Sequence, residues 1–537
     1  MKQLLCIFIR YLRSERIYYL FMLSGYRKLR SSHGISYLRD LKIELSELTI
    51  NSPFHNFLFI LLRLPHNSQA YCKQLVKYHC LDNVQFSSRF LFSIGSGTPL
   101  ILPLPLDYLR FISNQGFTVS FFPSLVLWRI KVFRSYLRSV VLSIKLFILV
   151  FSKSYYRSSK NFVNNSIFFF DIPTSFLDAP TINPSFSYID WVKRKYPNIS
   201  NILCLNSNFN SYSYSETQIF CTPVPFYIEG LLPKLLFLLF SSLSLVIFFL
   251  ILFLPSNYII FSLSLYDLVL LLMSCFAKPK TFSNEYIFLM NWSFTPIWSL
   301  FLDNRFHTRI SLLFYSVNNE GFSHLGGSHP VPYDQRHFMW PYIYYWNDYH
   351  RDFLQCFKYK STILLHSGPF CAVDSPSLPF TAIPKRSISV FDISVTNVSF
   401  RYSLGIQHNY ISPSTVISFL SDIYSLCKYH NVFLIYKQKR ISSNCDSRYT
   451  SFVDHFRNSE YVISVDPKCS PYRLLNATQA SISFPFTSVP HYGGTPSLRH
   501  VYYDSKSLIS QNLSAAQGVP LITGFEALAS WFKMNFS

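Results

Sequence analysis

The chain has 537 residues, which is long enough for two or three domains with separate hydrophobic cores. Apolar residues make up 49% of the sequence and charged residues only 14%, so the chain buries enough apolar surface to offset the entropy of ordering. This composition excludes an intrinsically disordered protein, and a content of only 15 Gly excludes collagen-like and linker-like classes.

The charge balance is strongly basic, with 48 Lys and Arg against 27 Asp and Glu. Nucleic-acid binding requires basic residues concentrated along one groove and interleaved with aromatic side chains, whereas here they are spread thinly. We therefore favour an anionic membrane surface or a phosphorylated substrate as the partner and predict no nucleic acid.

The 11 Cys include no C-x-x-C pair and suit a reducing compartment. Arg10 interrupts the first apolar run before it is long enough for an export signal.

The first 229 residues contain one recognisable unit. Residues 1–90 are predicted to be a helical or irregular region, and residues 91–229 the first part of a Rossmann-like domain. Within this part, residues 99–122 are predicted to form an apolar strand, a helix closed by Gly116 and a second apolar strand, which is a β-α-β unit. The preceding Gly95-Ser96-Gly97 lies before the strand and lacks the third Gly of a dinucleotide-binding fingerprint, so we interpret it as a loop.

Residues 230–280 are predicted to form a hydrophobic helical hairpin. Residues 235–254 contain no charge and no Pro, and as a helix they would span about 30 Å, which is one bilayer core. A second apolar run, residues 258–277, is interrupted by Asp267, which costs roughly 2.5 to 3.5 kcal/mol at the centre of a membrane. The positive-inside rule places both ends of the pair in the cytoplasm because Lys234, Lys278 and Lys280 flank it. The hairpin then crosses or dips into the membrane; the alternative is two buried core helices of a soluble domain.

Residues 281–385 are predicted to complete the first domain. Three short apolar strands, at residues 310–316, 342–346 and 362–366, surround a helix at residues 348–354. The segment 321–337 carries three histidines whose spacing matches no familiar metal site, so we predict a surface loop and no metal. These histidines are His324, His329 and His337.

Residues 386–537 show the clearest alternation of strands and helices. Continuous apolar strands alternating with helices are typical of a parallel sheet covered on both faces. Ser412 gives the first helix an N-cap, and Pro413 follows at its first position. The chain is therefore predicted to be an α/β protein with two Rossmann-like domains. The strand candidates are residues 387–394, 432–436, 461–466, 480–485, 499–503 and 519–523, and the helix candidates are residues 413–429, 448–458 and 524–532.

Polar residues follow three of these strands, where doubly wound sheets bind their ligands. Three cations follow one strand, two hydroxyl groups follow another, and a carboxylate follows a third. If they converge on one rim, they offer cations and donors for a diphosphate and a carboxylate for a ribose or sugar hydroxyl. Each group also has an ordinary interpretation, as a solvated basic loop, a capping Thr-Ser pair and an Asp turn. The residues are Lys437, Lys439, Arg440, Thr487, Ser488 and Asp504.

Residues 485–488 read Pro-Phe-Thr-Ser, and the C-terminal half of the chain resembles the bacterial polysaccharide biosynthesis proteins named for this PFTS motif. The resemblance covers roughly residues 285–533, and residues 103–106 (Pro-Leu-Pro-Leu) more loosely. The residues that carry it are Trp292, residues 296–298, residues 314–318, residues 339–341, residues 346–348, residues 368–370, Asp374, Phe391, Asp392, residues 437–440 and residues 502–504.

The resemblance implies a membrane-associated glycosyltransferase of the two-Rossmann GT-B type, acting in the assembly of a bacterial surface polysaccharide such as a capsule. It implies a nucleotide sugar as substrate and a glycan or lipid-linked acceptor. We expect no cofactor or metal, and the lysines that flank the hairpin predict a location on the cytoplasmic side of the inner membrane. Cations and helix dipoles would then neutralise the leaving diphosphate. The expected donor and phosphate ligands are Lys437, Lys439, Arg440, Ser483, Pro485, Phe486, Thr487 and Ser488; the expected nucleoside or sugar ligands are Tyr503, Asp504 and Glu526; the candidates for the general base are Glu320 and Asp348.

Two other hypotheses stay open. Val317 stands where the family has Thr, and Val489 lies where the family has small residues suited to starting a helix. These departures favour a non-catalytic membrane scaffold of a polysaccharide assembly or export complex. The third hypothesis is a basic nucleic-acid binder. Binding of a nucleoside diphosphate distinguishes the transferase from both, because neither alternative requires it.

Overall fold

The computed structural model of the chain describes residues 15–33, 37–50, 52–65, 67–81, 84–152, 166–170, 188–199, 201–205, 210–214, 217–289, 294–314, 316–317, 337–369, 383–396, 411–439, 445–467, 469, 471–493, 499–509 and 514–536. The helices before the first strand are α1 (Glu15–His33), α2 (Tyr37–Glu47), α3 (Pro53–Leu61), α4 (Ser68–Val76), α5 (Val84–Ser96), α6 (Leu106–Asn114) and α7 (Phe121–Val150). The later helices are α8 (Tyr188–Lys195), α9 (Leu231–Ile251), α10 (Ser256–Ile259), α11 (Leu265–Phe276), α12 (Ile297–Phe306), α13 (Asp348–Gln355), α14 (Pro413–Tyr429), α15 (Ser447–Phe456), α16 (Pro471–Ala477) and α17 (Phe525–Phe536). Single π and 3₁₀ turns lie at Lys77–Leu81, Ile260–Ser264, Pro279–Thr281, Val489–Gly493 and Ser514–Ala516.

The first sheet belongs to the N-terminal domain, and in the described part of the chain it has eight strands in the order β3-β4-β2-β1-β5-β6-β7-β8. Each pair of neighbours is parallel except β3 with β4. The chain builds the sheet outward from β1 to β4, returns to β5, and builds in the other direction to β8, which is doubly wound topology. The strands are β1 (Ser166–Phe170), β2 (Asn201–Leu205), β3 (Asn210–Tyr214), β4 (Thr217–Thr222), β5 (Glu285–Leu289), β6 (Arg309–Leu313), β7 (Tyr342–Tyr345) and β8 (Ile363–His366).

The second sheet belongs to the C-terminal domain, and all six of its described strands are parallel. Their order is β11-β10-β9-β12-β13-β14, which is the 3-2-1-4-5-6 order of the dinucleotide-binding Rossmann fold. All five residues of β9 are buried, as a sheet covered by helices on both faces requires. The strands are β9 (Ser387–Phe391), β10 (Phe433–Lys437), β11 (Val462–Ser464), β12 (Ala480–Ser483), β13 (His500–Asp504) and β14 (Leu521–Thr523).

These two sheets confirm the predicted fold class of two Rossmann-like domains. Helix α14 begins and ends where the sequence indicates, and the Ser412 hydroxyl caps it by accepting a hydrogen bond from the backbone N–H of Thr415. Residues 99–122 differ from the prediction. Leu100 and Val119 form one isolated parallel bridge around α6, and the second apolar run is the beginning of the long helix α7.

The apolar helical pair predicted between the strands of the first domain is confirmed as α9 and α11, which lie between β4 and β5. Its second run is not one long helix, because it is divided into α10, a 3₁₀ turn and α11. Asp267 gives the physical reason: its Oδ2 accepts hydrogen bonds from the Tyr71 hydroxyl (2.6 Å) and the Ile297 N–H (2.7 Å). These bonds fix α11 to α4 and to the start of α12, inside the domain. Within the described residues α9 alone is long and apolar enough to cross a membrane.

Candidate functional site

The two sheets face each other through the carboxyl edges of their parallel strands. The segment after β6 contacts the segment after β12, because the Val317 N–H donates to Ser488 Oγ (3.0 Å). The residue after β7, Trp346, packs its ring against Tyr492, with 5.6 Å between ring centroids. Gln517 also donates from Nε2 to the Val317 carbonyl (2.8 Å). The PFTS segment, residues 485–488, therefore lies at the junction of the two domains.

The strand register brings the basic loop, residues 437–440, close to the PFTS segment. Lys437 and Ser483 are both aligned with Phe391, the last residue of the central strand β9. Because β10 and β12 flank β9, the two segments leave the sheet about 10 Å apart, which is twice the spacing between neighbouring strands. A diphosphate with its sugar can bridge such a gap. The convergence expected from the sequence is thus present for these two segments.

Asp392 lies between them at the end of β9 and is buried. Its carboxylate accepts hydrogen bonds from the Tyr436 hydroxyl (2.6 Å), the Tyr449 hydroxyl and the backbone N–H of Lys439 (3.0 Å). Burial raises the pKa of Asp392, although these three donors and the Lys439 charge oppose that shift. Asp392 therefore fixes the backbone of the basic loop. The sequence indicated this residue only through the family resemblance, not as a site residue.

The two described cations of the basic loop have different surroundings. Lys437 donates from Nζ to the carbonyl of Pro467 (2.7 Å), in the stretch after β11. The Lys439 side chain is exposed at the edge of the sheet, and Arg440 lies outside the described residues. Gln438 between them is buried, and its Oε1 has no hydrogen-bond partner within the described part of the chain.

The PFTS segment is buried and its backbone is held in place. Phe486 adopts a left-handed conformation with φ of 62°, which a bulky residue takes only when its surroundings impose it. The Tyr502 hydroxyl donates to the Thr487 carbonyl (2.5 Å), and the Tyr502 ring lies against Phe486. Among the described residues, Ser483 Oγ and Thr487 Oγ1 are buried without a hydrogen-bond partner. Such groups cost about 1 to 3 kcal/mol each, so a water or a ligand oxygen that bonds to them is favoured.

A pair of histidines that the sequence did not indicate lies beside this segment. His350 of α13 and His491, just after the PFTS segment, are both buried, and the charge of one would disfavour charge on the other. Burial lowers the pKa of His350 to about 3 and that of His491 to about 4, so both imidazoles are neutral near pH 7. Within the described residues, Nε2 of His350 and Nδ1 of His491 have no partner. The departure from the family pattern at Val489 lies two residues before His491, and it is a weak signal for this pair.

The three candidates for the nucleoside or sugar have different positions. The Tyr503 hydroxyl donates to Asp422 of α14 (2.8 Å), and its ring is in the core of the C-terminal domain. The Asp504 carboxylate accepts from the Ile509 N–H (2.7 Å), so it holds its own loop, and burial raises its pKa. Glu526 is exposed in the first turn of α17, directly beyond the carboxyl end of β14. Of the three, Glu526 is therefore the one whose side chain is open at this edge.

The two candidates for the general base lie after strands of the N-terminal domain. Glu320 lies outside the described residues. Asp348 is the first residue of α13, its side chain is 77% exposed, and it pairs with Arg351 (2.9 Å). The preceding Asn347 caps α13 by accepting from the His350 N–H (2.8 Å) and donates across the domain junction to Gln517 Oε1 (3.3 Å). Asp348 is thus close to the junction but on its solvent side.

Two Rossmann-like domains that face each other through their carboxyl edges define the GT-B class of architecture. The particular family follows from the sequence: the profile described as "Polysaccharide biosynthesis PFTS motif protein" matches residues 245–532, and the chain belongs to that family. The match includes the basic loop and the PFTS segment. No curated protein matches the chain.

Several solved structures resemble the chain at a distance. An α,α-trehalose-phosphate synthase (UDP-forming) from Burkholderia vietnamiensis is 7% identical, covers 70% of this chain and 90% of its own, and gives a TM-score of 0.35. A UDP-GlcNAc 2-epimerase from Neisseria meningitidis bound to UDP-GlcNAc is 9% identical, with 69% and 91% covered and a TM-score of 0.34. S. aureus MnaA with UDP is 9% identical, with 69% and 87% covered and a TM-score of 0.35.

Proposed function

We propose that this protein is a glycosyltransferase of bacterial surface polysaccharide assembly, which transfers a sugar from a nucleotide-activated donor to a glycan or lipid-linked acceptor. The observation that carries the proposal is the register that aligns Lys437 and Ser483 on either side of β9, at the edge that faces the other domain. Family membership supports the polysaccharide pathway, and the position of the PFTS segment supports its direct part in the chemistry.

The proposed donor site uses positive charge and hydrogen bonds instead of a metal ion or a cofactor. Lys439 and Arg440 would neutralise the charge that develops on the leaving diphosphate, as a metal-independent transfer requires. The hydroxyls of Ser483 and Thr487, which have no hydrogen-bond partner among the described residues, would donate to phosphate oxygens. Glu526 would accept hydrogen bonds from the nucleoside hydroxyls, because the Asp504 carboxylate is already bonded within its own loop.

The acceptor would enter from the N-terminal domain, where α13 begins. We propose Asp348 or Glu320 as the general base for the acceptor hydroxyl. Asp348 is the better supported, because the Asn347 cap and its bond to Gln517 hold the start of α13 at the domain junction. Its carboxylate is exposed and pairs with Arg351, so it would turn from Arg351 toward an acceptor that enters from solvent.

Titration calorimetry with nucleoside diphosphates tests the donor site. Lys439→Ala should weaken binding by at least about tenfold, because a charge-assisted hydrogen bond contributes about 1.5 to 3 kcal/mol. Lys428→Ala is the matched control: Lys428 lies in the last turn of α14, near the opposite edge of the same sheet. Equal affinity in the two variants would contradict the site assignment.

A second candidate function is a non-catalytic scaffold of a polysaccharide assembly or export complex. The specific observation that favours it is that all four PFTS residues are buried and that the Ser488 hydroxyl is already bonded to Val317. A scaffold predicts that the wild-type protein releases no nucleoside diphosphate from any nucleotide sugar in the presence of membrane lipids. The transferase predicts release from at least one donor.

A further inference from the structure

Helices α7 and α9 lie side by side and antiparallel on the N-terminal domain. Lys234, near the start of α9, donates from Nζ to the carbonyl of Val150, at the end of α7 (2.8 Å). Further along the pair, the Tyr136 hydroxyl donates to the Leu245 carbonyl (3.2 Å). At 1.5 Å per residue the two helices extend over about 45 and 32 Å.

Helix α7 has three faces that recur with the helical period. One face is buried in the core and includes Trp128, Val132 and Val150. A second face is apolar but exposed, and its side chains recur every three or four residues along the whole helix, so they form one continuous stripe. Members of this stripe are Val126, Ile130, Phe133, Leu137, Ile144 and Ile148.

The exposed half of α9 continues this stripe. Phe237, Phe248 and Ile251 face the protein, whereas the apolar side chains of the other half are open to solvent. Because Tyr136 and Val150 of α7 contact α9, the α9 helix lies next to the apolar stripe of α7 and on the side opposite its basic edge. Exposed members of this half are Leu235, Leu239, Leu243, Val246 and Leu250.

The third face of α7 is basic. Arg134, Arg138 and Lys145 are exposed on the edge of α7 that points away from α9. The residues 121–150 and 231–251 contain no Asp or Glu. The exposed apolar faces of α7 and α9 together form an apolar plate, which has cations along one edge and no acidic side chain. Such a surface is complementary to a bilayer with anionic headgroups, because basic side chains reach the phosphate level and apolar ones enter the acyl boundary.

The side of α9 that faces the domain is covered by two neighbouring helices. One side of α9 packs on α7 and another on α11, and the Phe240 and Phe276 rings stack at 5.9 Å. Helix α11 is itself fixed inside the domain through Asp267. Only one face of the pair is therefore open, which suits a helix lying in the plane of the interface.

We propose that the apolar plate formed by α7 and α9 docks the protein along the surface of an anionic bilayer, with the basic edge of α7 at the headgroups and neither helix crossing the membrane. This proposal does not depend on the transferase function. It assigns α7, which the sequence did not connect with a membrane, half of the docking surface.

Flotation of the full-length protein with lipid vesicles tests this surface, after the purification detergent is removed in the presence of the vesicles. The wild type should float with vesicles of phosphatidylcholine and phosphatidylglycerol and less with phosphatidylcholine alone, and salt should weaken the anionic binding. The triple change Arg134→Gln, Arg138→Gln, Lys145→Gln should weaken binding to the anionic vesicles by about 100-fold, given the usual contribution of each cation. Binding to the neutral vesicles should be unchanged.

A second variant tests the apolar stripe of α7. Leu137→Ser, Ile144→Ser and Ile148→Ser together should remove binding to both kinds of vesicle, whereas Met534→Ser, an exposed apolar residue of α17, should have no effect. If the serine variant still floats like the wild type, α9 alone holds the membrane and the proposal is wrong. It is also wrong if wild-type binding is equal on neutral and anionic vesicles, or if the plate instead joins two copies of the chain into a dimer that the serine variant dissociates.

Discussion

The two Rossmann-like domains build their cores in different ways. The main C-terminal core is drawn from residues 388–536 alone, and its strands and helices alternate along the chain, while Phe391 and Ile435 pack in a smaller cluster shared with the N-terminal domain. The N-terminal core joins residues from Met22 to Leu354, and it depends on contacts between distant segments such as Tyr71 with Asp267. The strands and helices of a domain can therefore be predicted from its sequence when they alternate locally, but not when an inserted helical layer completes the domain.

The largest effect is expected from a substitution in the C-terminal core. Phe419 of α14 is buried between Phe484 and Tyr503, with ring centroids 5.4 and 5.9 Å away. Phe419→Ala should lower the free energy of unfolding of this domain by about 3 to 5 kcal/mol, because a large buried ring is replaced by a cavity. Differential scanning calorimetry should show the unfolding transition of the C-terminal domain at a lower temperature, while the transition of the N-terminal domain keeps its temperature. If both transitions moved together, the two cores would not be independent; the exposed Phe525→Ala serves as the control.

The next prediction tests the long-range contact of the N-terminal core. Burial raises the pKa of Asp267 from its ordinary value to about 7, so between pH 4 and 7 the folded protein binds a proton that the unfolded chain has lost. Its stability should therefore fall as pH rises through this window, by up to about 1.4 kcal/mol per pH unit. Asp267→Asn should remove this slope because an amide does not titrate in this range. The fold should be kept, because the amide oxygen can still accept from both Tyr71 and Ile297.

Denaturant unfolding of the detergent-solubilised protein at several pH values measures the Asp267 slope. Asp107→Asn is the matched control, because Asp107 is exposed and its ion pair with Arg110 is long, at 3.7 Å. A slope that survives in Asp267→Asn would mean that another group titrates, and the account of how α11 is fixed would be wrong.

The smallest effect concerns the edge of the C-terminal sheet. Asp392→Asn should leave the fold intact but weaken nucleoside diphosphate binding by about tenfold, because the carboxylate that holds the Lys439 backbone becomes a neutral amide. Titration calorimetry measures the change, with Asp454→Asn, an exposed residue of α15, as the control. Unchanged affinity would show that the basic loop does not need Asp392 for its position.

Sequence reasoning succeeded where one pattern decides the local structure. Helix α14 and its Ser412 cap could be predicted because cap, Pro at the first turn and apolar period all agree. The six strands of the C-terminal domain were predicted to within a few residues, since continuous apolar runs separated by polar segments have one good interpretation. The register that aligns Lys437 with Ser483 follows from the 3-2-1-4-5-6 order, which the sequence implies only once the fold is assumed.

The failures have a physical reason as well. Strands β1 to β5 were not predicted, because the apolar runs of β1, β2, β4 and β5 are similar to many others in a chain with 54 Phe. The apolar residues 258–277 resembled a membrane helix because a sequence cannot show that Asp267 finds two donors inside the protein. His350 and His491 could not be associated either, since they are 141 positions apart and meet only across the domain junction.

Hydrogen exchange measured by mass spectrometry, with and without saturating UDP, ADP or GDP, tests the central claim most directly. At least one nucleotide should slow exchange at residues 437–439 and 484–493 and in the first turn of α17, and should leave residues 428–432 at the opposite edge unchanged. If no nucleotide alters exchange, or if protection appears away from the facing carboxyl edges, the two domains do not hold a donor between them.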